Sequence, residues 1–320
     1  MDTQNHSNSR WAPKLGGLQD LIGTYREGYT PASMMTPPIE QAYAHWLVRE
    51  AYQGSGALVE LGCFLGSLSR PLLNGLRENS AERAQSTALQ VYDRFLWDSS
   101  MDEWTDKLKL KKRPADGESY EYLYEDFMQG YLDRLNIHTV DFIEEKPSTP
   151  NIEVLVVDVM KGFEIADNVA QAFFPKVIPG GVIVHQDYMT FAHGWIHLLT
   201  WRLRDYLRPV WLSKWSAMTS FEVISPIDEA DCFTFRSFPP ESPDEILEAF
   251  QWNKEVFASS EEVEIVLSAA EVFFLIMSHH GDTVGYEKYR EAESKGWLEH
   301  QAFKDMVKYC RQWNFAWKGL

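Results

Sequence analysis

Cysteine is scarce in this chain: Cys63, Cys232 and Cys310 are the only three among 320 residues, far apart and odd in number. That pattern argues against a disulfide framework or a zinc site and suits a reducing compartment. Positive charge is also short, with 30 Lys and Arg against 47 Asp and Glu and a net charge of -17. Such a balance offers no footprint for nucleic acid or an anionic membrane, and a small-molecule partner is expected instead. Long apolar runs are missing too. The longest helical apolar region, Val263 to Met277, is interrupted by Glu264, Ser268 and Glu271, so no membrane span is expected. The segment from Met1 to Lys14 is polar and lacks the apolar core of a secretory signal. The expectation is a soluble, cytoplasmic protein.

Two phosphate-binding patterns are absent as well. The apolar run Ala57 to Leu61 reads as a buried strand, and Gly62 to Gly66 as a turn in which missing side chains let a ligand approach backbone. A dinucleotide site would need a glycine where Phe64 stands, which disfavours a nicotinamide enzyme. No lysine follows Gly66, so the triphosphate-cradling loop is excluded. What is left is a ligand carrying adenosine without phosphate.

The stretches that follow repeat one pattern. Leu89 to Tyr92 reads as a strand closed by Asp93, about 30 residues beyond Gly62 and somewhat further than the roughly 20 expected of a ribose-binding carboxylate. Ile152 to Val157 is a strand closed by Asp158. Phe174 to Tyr188 contains a Pro179-Gly180-Gly181 turn and an apolar strand that stops at His185, Gln186 and Asp187. Four apolar strands therefore each deliver a polar group at the carboxyl end, where open α/β sheets bind ligands.

Glu60-x-Gly62-x-x-x-Gly66 resembles the first motif of class I S-adenosylmethionine-dependent methyltransferases. The order of Val59-Glu60-Leu61-Gly62, Tyr92-Asp93-Arg94-Phe95, Val157-Asp158 and Pro179 to Val184 with Asp187-Tyr188 is similar to the macrocin O-methyltransferase-like branch, over roughly residues 37 to 237. The resemblance implies a Rossmann-like, doubly wound, mostly parallel seven-stranded sheet. It implies S-adenosyl-L-methionine held by Glu60, Gly62, Cys63, Phe64, Gly66, Ser67, Asp93, Arg94, Phe95 and Asp158, with Asp158 and Asp187 bordering methyl transfer. Relatives in that branch hold magnesium on paired aspartates and a further acid. Here Gln186 stands where the first of the pair is expected, and Met160 and Lys161 follow Asp158. A hard divalent cation wants several oxygen ligands, so metal binding, by Asp158 and Asp187 if at all, is put in question.

Three regions are expected: an irregular arm over residues 1–36, a methyltransferase domain over 37–238, and a helical region over 239–320. Within the second, Thr139 to Ile143 is the expected third strand, and Phe221 to Ile224 and Cys232 to Phe238 the last two. A hydroxyl acceptor needs its proton removed, and His185 is the first candidate base, with Asp187 or Asp158 positioning it or substituting for it. His193 and His197 share a helical face, and Trp195, Trp201, Trp211 and Trp215 are candidates for stacking on an acceptor ring, though core packing suits most of them. The functional expectation is methylation of a hydroxyl on a polar small molecule, a sugar or natural-product intermediate. The alternative is a non-catalytic relative acting as a binding or interaction module. The acceptor, the atom methylated and a homo-oligomeric state are not fixed by the sequence.

Overall fold

The structure is a computed structural model that describes residues 9–13, 15–27, 35–110, 112–145, 150–213, 216–232, 242–257, 260–315 and 317. Seven strands form one mixed sheet: β1 (Ala57–Leu61), β2 (Leu89–Asp93), β3 (Leu135–Thr139), β4 (Ile152–Val157), β5 (Val177–His185), β6 (Leu207–Leu212) and β7 (Thr219–Val223). Their order is β3-β2-β1-β4-β5-β7-β6, with β7 antiparallel to both neighbours and the remaining pairs parallel. The sheet is therefore mixed, since its last two strands form an antiparallel hairpin.

Burial on both faces explains the near-continuous apolar strands. Leu58, Val91, Val154, Val156, Val182 and Val184 point into one core, and Val59, Leu61, Leu155, Val157 and Ile183 into the other. The described helices are α1 (Leu15–Glu27), α2 (Pro38–Trp46), α3 (Ser69–Glu78), α4 (Glu82–Gln85), α5 (Glu103–Lys107), α6 (Glu121–Phe127), α7 (Phe163–Phe173), α8 (Gly194–Arg202), α9 (Asp244–Phe257), α10 (Glu261–Met277), α11 (Tyr286–Ser294) and α12 (Gln301–Gln312), and they flank the sheet on both faces except for α11 and α12. Side chains from α1 to α3 share the first core, and those from α7 to α10 the second. A third cluster, including Phe273, Phe303, Met306 and Trp317, ties α10 to α12 and the carboxyl end. Ile246 and Phe250 of α9 and Leu267 of α10 belong to the same core as β4 and β5, so the first two carboxyl-terminal helices pack directly on the sheet layer. The expected boundary near residue 239 lies outside the described residues. Among those described, no helix is long and apolar enough to cross a membrane.

Several elements differ from the sequence reading. The arm expected to be irregular contains α1, whose Leu18, Leu21, Ile22 and Tyr25 follow the i, i+3, i+4, i+7 spacing and pack toward α2. Gly16 and Gly17, poor helix formers, obscure that pattern. Strand β3 is Leu135–Thr139 rather than Thr139 to Ile143; it is a half-buried edge strand, and Asn136 and His138 break its apolar signal. Strand β6 was not anticipated because Pro209 argues against a strand interior, yet β6 is an edge strand with an irregular register at Pro209, where proline is tolerated. Cys232 closes a short helical turn, Glu229–Cys232, and residues 233–238 lie outside the described set.

Candidate active site

Backbone bonds carry the ladders one residue past the central strands and bring their ends level. Gly62 N–H donates to Tyr92 O at 2.9 Å, Asp158 N–H to Leu61 O at 2.8 Å, and Gln186 N–H to Val157 O at 3.1 Å. A cavity of about 150 Å³ opens there, lined by Thr36, Glu60, Gly62 to Phe64, Ser67, Asp158, Lys161, Gln186 and Asp187. Residues from four separate stretches of sequence thus meet at one place. The volume is below the roughly 300 Å³ at the lower end of small-molecule pockets, so a whole adenosyl ligand needs the rim to open. A wider depression of about 350 Å³ lies over α9 to α11, but there Glu271 is already paired with Lys254 and Lys288.

Each half of the cavity has its own electrostatics. Glu60 is 1% exposed and accepts from Ser69 Oγ at 2.6 Å, while Tyr124 OH donates to Ser69 Oγ at 3.1 Å. Burial is the largest influence on Glu60 and pushes its pKa up to about 8. Opposite, Lys161 Nζ donates to Asp158 Oδ1 at 2.6 Å and also to Asp187 Oδ2. The side chains of Lys161, Asp158 and Asp187 are 49%, 28% and 19% exposed, so this salt-linked trio sits at the mouth. Burial raises the Asp158 pKa, and neighbouring Asp187 adds to the rise against the opposing ammonium. For Asp187 burial also pulls upward, but Lys161 and then His193 outweigh it and hold the carboxyl below its usual range. Burial alone would lower the Lys161 pKa; the two carboxylates overcome it and raise it.

Behind the lining stands Glu40 of α2, which the sequence reading missed. It accepts from Gln186 Nε2 at 3.3 Å, and burial pushes its pKa up to about 7. Thr36 bridges the same region, its Oγ1 lying 2.7 Å from Ser67 Oγ and 3.3 Å from Gln186 Nε2. Lys161 was noted only as a poor metal ligand. A lysine three residues after a strand-end aspartate, within reach of a second acid, was the available signal.

Asp93 lies beside this cavity but does not line it. Its Oδ2 accepts from Cys63 N–H at 3.0 Å and Phe64 N–H at 3.3 Å, and its Oδ1 from Phe95 N–H at 2.8 Å and Tyr120 OH at 3.1 Å. Those four N–H and O–H donors match the lone-pair capacity of a carboxylate, and the Cys63 thiol adds a fifth, weaker contact to Oδ2 at 3.7 Å. Phe64 and Phe95 have φ of 45° and 50°, a region costly for bulky side chains, and both are tied to Asp93 through their N–H groups. The Phe64 ring packs near Trp97 and Tyr120, with centroids 6.2 and 5.7 Å away.

Other expected site residues stand elsewhere. His185 is fully buried on the opposite face among Phe174, Tyr188 and Phe221, and burial followed by neighbouring His197 pushes its pKa down to about 3. A strand-end histidine whose side chain follows the parity of Ile183 faces the core, not the cavity. Phe95 is core, and Arg94 is an exposed partner of Asp98. Gly66 is required by its φ of +82° and by Met128 Sδ, which an added Cβ would meet at 2.5 Å; Gly62 likewise makes room for Val159 and Asp158. These two glycines serve internal packing, not only ligand approach. His197 is buried against Asn253 of α9, and His193 pairs with Thr190 at the start of α8. Trp195 donates to Met160 O, Trp211 stacks on Tyr43, Trp201 packs under Arg204, and Trp215 lies outside the described residues.

The lining holds three carboxyl groups and one lysine already shared by two of them, and Glu60, held protonated by burial, can ionise when a cationic ligand arrives. A divalent metal does not fit: among the described residues no three His, Cys, Asp or Glu side chains gather as a metal cage, and an ammonium lies between Asp158 and Asp187.

No family model and no curated protein matches the chain. Solved structures similar to it include the O-methyltransferase NovP, at 16% identity over 65% of this chain and 96% of that one, with a TM-score of 0.45. Others are a putative caffeoyl-CoA O-methyltransferase from Staphylococcus aureus (9% identity, 66% and 100% coverage, TM-score 0.41) and the SAH-bound Podospora anserina methyltransferase PaMTH1 (11%, 68% and 90%, 0.38). Each is a protein this chain is similar to, and none assigns it an activity.

Proposed function

We propose that the chain is an S-adenosylmethionine-dependent methyltransferase acting on a hydroxyl of a polar small molecule. The observation that carries this reading is the convergence of the Glu60 to Phe64 turn with Asp158, Lys161 and Asp187 in one acid-rich cavity at the carboxyl ends of β1, β4 and β5. Bound S-adenosylmethionine supplies a methyl group on a cationic sulfur. Glu60 holds the amino group of that ligand, and the Gly62 to Phe64 turn, its N–H groups taken by Tyr92 O and Asp93, gives the ligand a surface to lie against. Asp93 meets the ribose by exchanging one of its present donors for a sugar hydroxyl. Asp158 takes the proton from the acceptor hydroxyl, because a carboxyl with a raised pKa is the better base near neutral pH. Most of the rate comes from aligning acceptor oxygen and methyl carbon.

Calorimetric titration with S-adenosylhomocysteine tests the reading. Saturable binding with none for NAD is expected, and the reverse preference would overturn it. Two observations favour a second reading, a methyltransferase-like protein that binds without turnover: the cavity is small, and Asp93 is fully engaged within the chain. Binding without methyl transfer to any of a panel of hydroxylated sugars and phenols would select it.

A further inference from the structure

The ammonium of Lys161 is shared by carboxylates that end different strand connections, Asp158 after β4 and Asp187 after β5. Gln186 completes the same wall. It is 9% exposed, its Nε2 is occupied by Thr36 and Glu40, and its buried Oε1 accepts no hydrogen bond. Two carboxylates therefore hold a nitrogen that the chain itself supplies, and the Gln186 amide lines the same cavity. A divalent ion placed there would lose both carboxylates to the lysine and meet its charge at contact distance.

We propose that Lys161 is a tethered substitute for a divalent cation: it sets Asp158 and Asp187 in place, keeps metal out, and offers an N–H to the acceptor oxygen. An ammonium has three donors and the carboxylates take two, which leaves one for that oxygen. The inference rests on reading this cavity as the transfer site, and it makes Lys161 a residue that touches the acceptor oxygen while holding both carboxylates in a metal-free reaction.

Manganese binding, followed by the loss of the free-ion electron paramagnetic resonance signal, tests the substitution without reference to activity. The intact protein is expected to bind no Mn²⁺ in this cavity at about 1 mM, the weak end of protein cation sites. Lys161→Met vacates the position, and its affinity for Mn²⁺ should rise by about 10- to 100-fold, the range by which ligand surroundings tune metal sites. Lys161→Arg should stay silent. If Lys161→Met is unstable, Lys161→Gln makes the same test. Binding by the intact protein that equals the variant's would overturn the proposal, as would silence in every variant that lacks the charge. S-adenosylhomocysteine titrated into the same samples reports separately on the cavity, so its failure to bind the intact protein would sink the earlier reading and not be mistaken for a metal result.

Discussion

The acids that end β2 and β4 are built in opposite ways. Asp93 is 7% exposed and its oxygens are filled by three backbone N–H groups and a tyrosine hydroxyl. Asp158 faces a cavity and is balanced by one side chain, Lys161, that ends half-exposed. The first arrangement fixes backbone: it holds two phenylalanines in a strained conformation and so shapes the turn. The second keeps charge available to a ligand. Identical residue types at equivalent strand ends thus differ in their surroundings: backbone donors saturate one, and a single lysine balances the other.

The contrast breaks most sharply on activity. Asp158→Asn should cut turnover by about 10²- to 10⁴-fold, the usual contribution of a positioned base, with little change in folding. Steady-state kinetics with the acceptor identified by the panel above would check this, and an unchanged rate would remove Asp158 from the chemistry. Asp93→Ala should destabilise the fold and also weaken S-adenosylhomocysteine binding. Leaving several buried donors unpaired costs roughly 3 kcal/mol or more in total, at about 1–3 kcal/mol per group, and thermal unfolding should shift down by several degrees. A melting temperature equal to the parent would show that the four bonds do not hold the turn.

A third test sharpens the comparison through pH. Glu60 has a folded-state pKa of about 8, above its ordinary 4.5, so the folded protein favours its protonated form. Stability from that preference is complete below about pH 4.5 and is lost as pH rises toward 8. Glu60→Gln cannot ionise. It should match the parent's melting temperature near pH 5 and exceed it by roughly 2–4 °C for each kcal/mol recovered near pH 8. Parallel melting curves across that range would contradict burial as the cause. The smallest effect is expected from Tyr120→Phe, which frees one lone pair of Asp93: S-adenosylhomocysteine should bind by about 2- to 10-fold more tightly if a ribose hydroxyl takes that place, at about 0.5–1.5 kcal/mol per hydrogen bond. Weaker binding would mean the tyrosine hydroxyl helps hold the ligand instead.

The parts legible in the sequence are those governed by short-range patterning. Strands β1, β2, β4 and β5 are buried on both faces and read as apolar runs with polar ends, and α9 to α12 keep helical periodicity for several turns. Edge strands β3 and β6 were misplaced or missed because partial exposure and Pro209 dilute their signal. Asp158 and Asp187 could be placed near the same end of the sheet because parallel strands bring their carboxyl ends together. Glu40 could not, because it arrives on α2 from a tertiary contact with no local mark. His185 failed for a geometric reason: an end position names the residue but not the face, and its side chain follows Ile183 into the core. Asp93 closes β2 as the apolar run suggests, yet its donors come from the turn and from Tyr120, a contact that sequence distance conceals.

If an acid-rich, partly protonated cavity receives a cationic adenosyl donor, binding is linked to proton release. Calorimetry of S-adenosylmethionine binding at pH 7 in two buffers of different ionisation enthalpy tests it most directly. Glu60, mostly protonated in the free protein, should ionise as the positive ligand arrives, so net proton release is predicted. Binding with identical heats in both buffers, or no binding at all, would contradict the account.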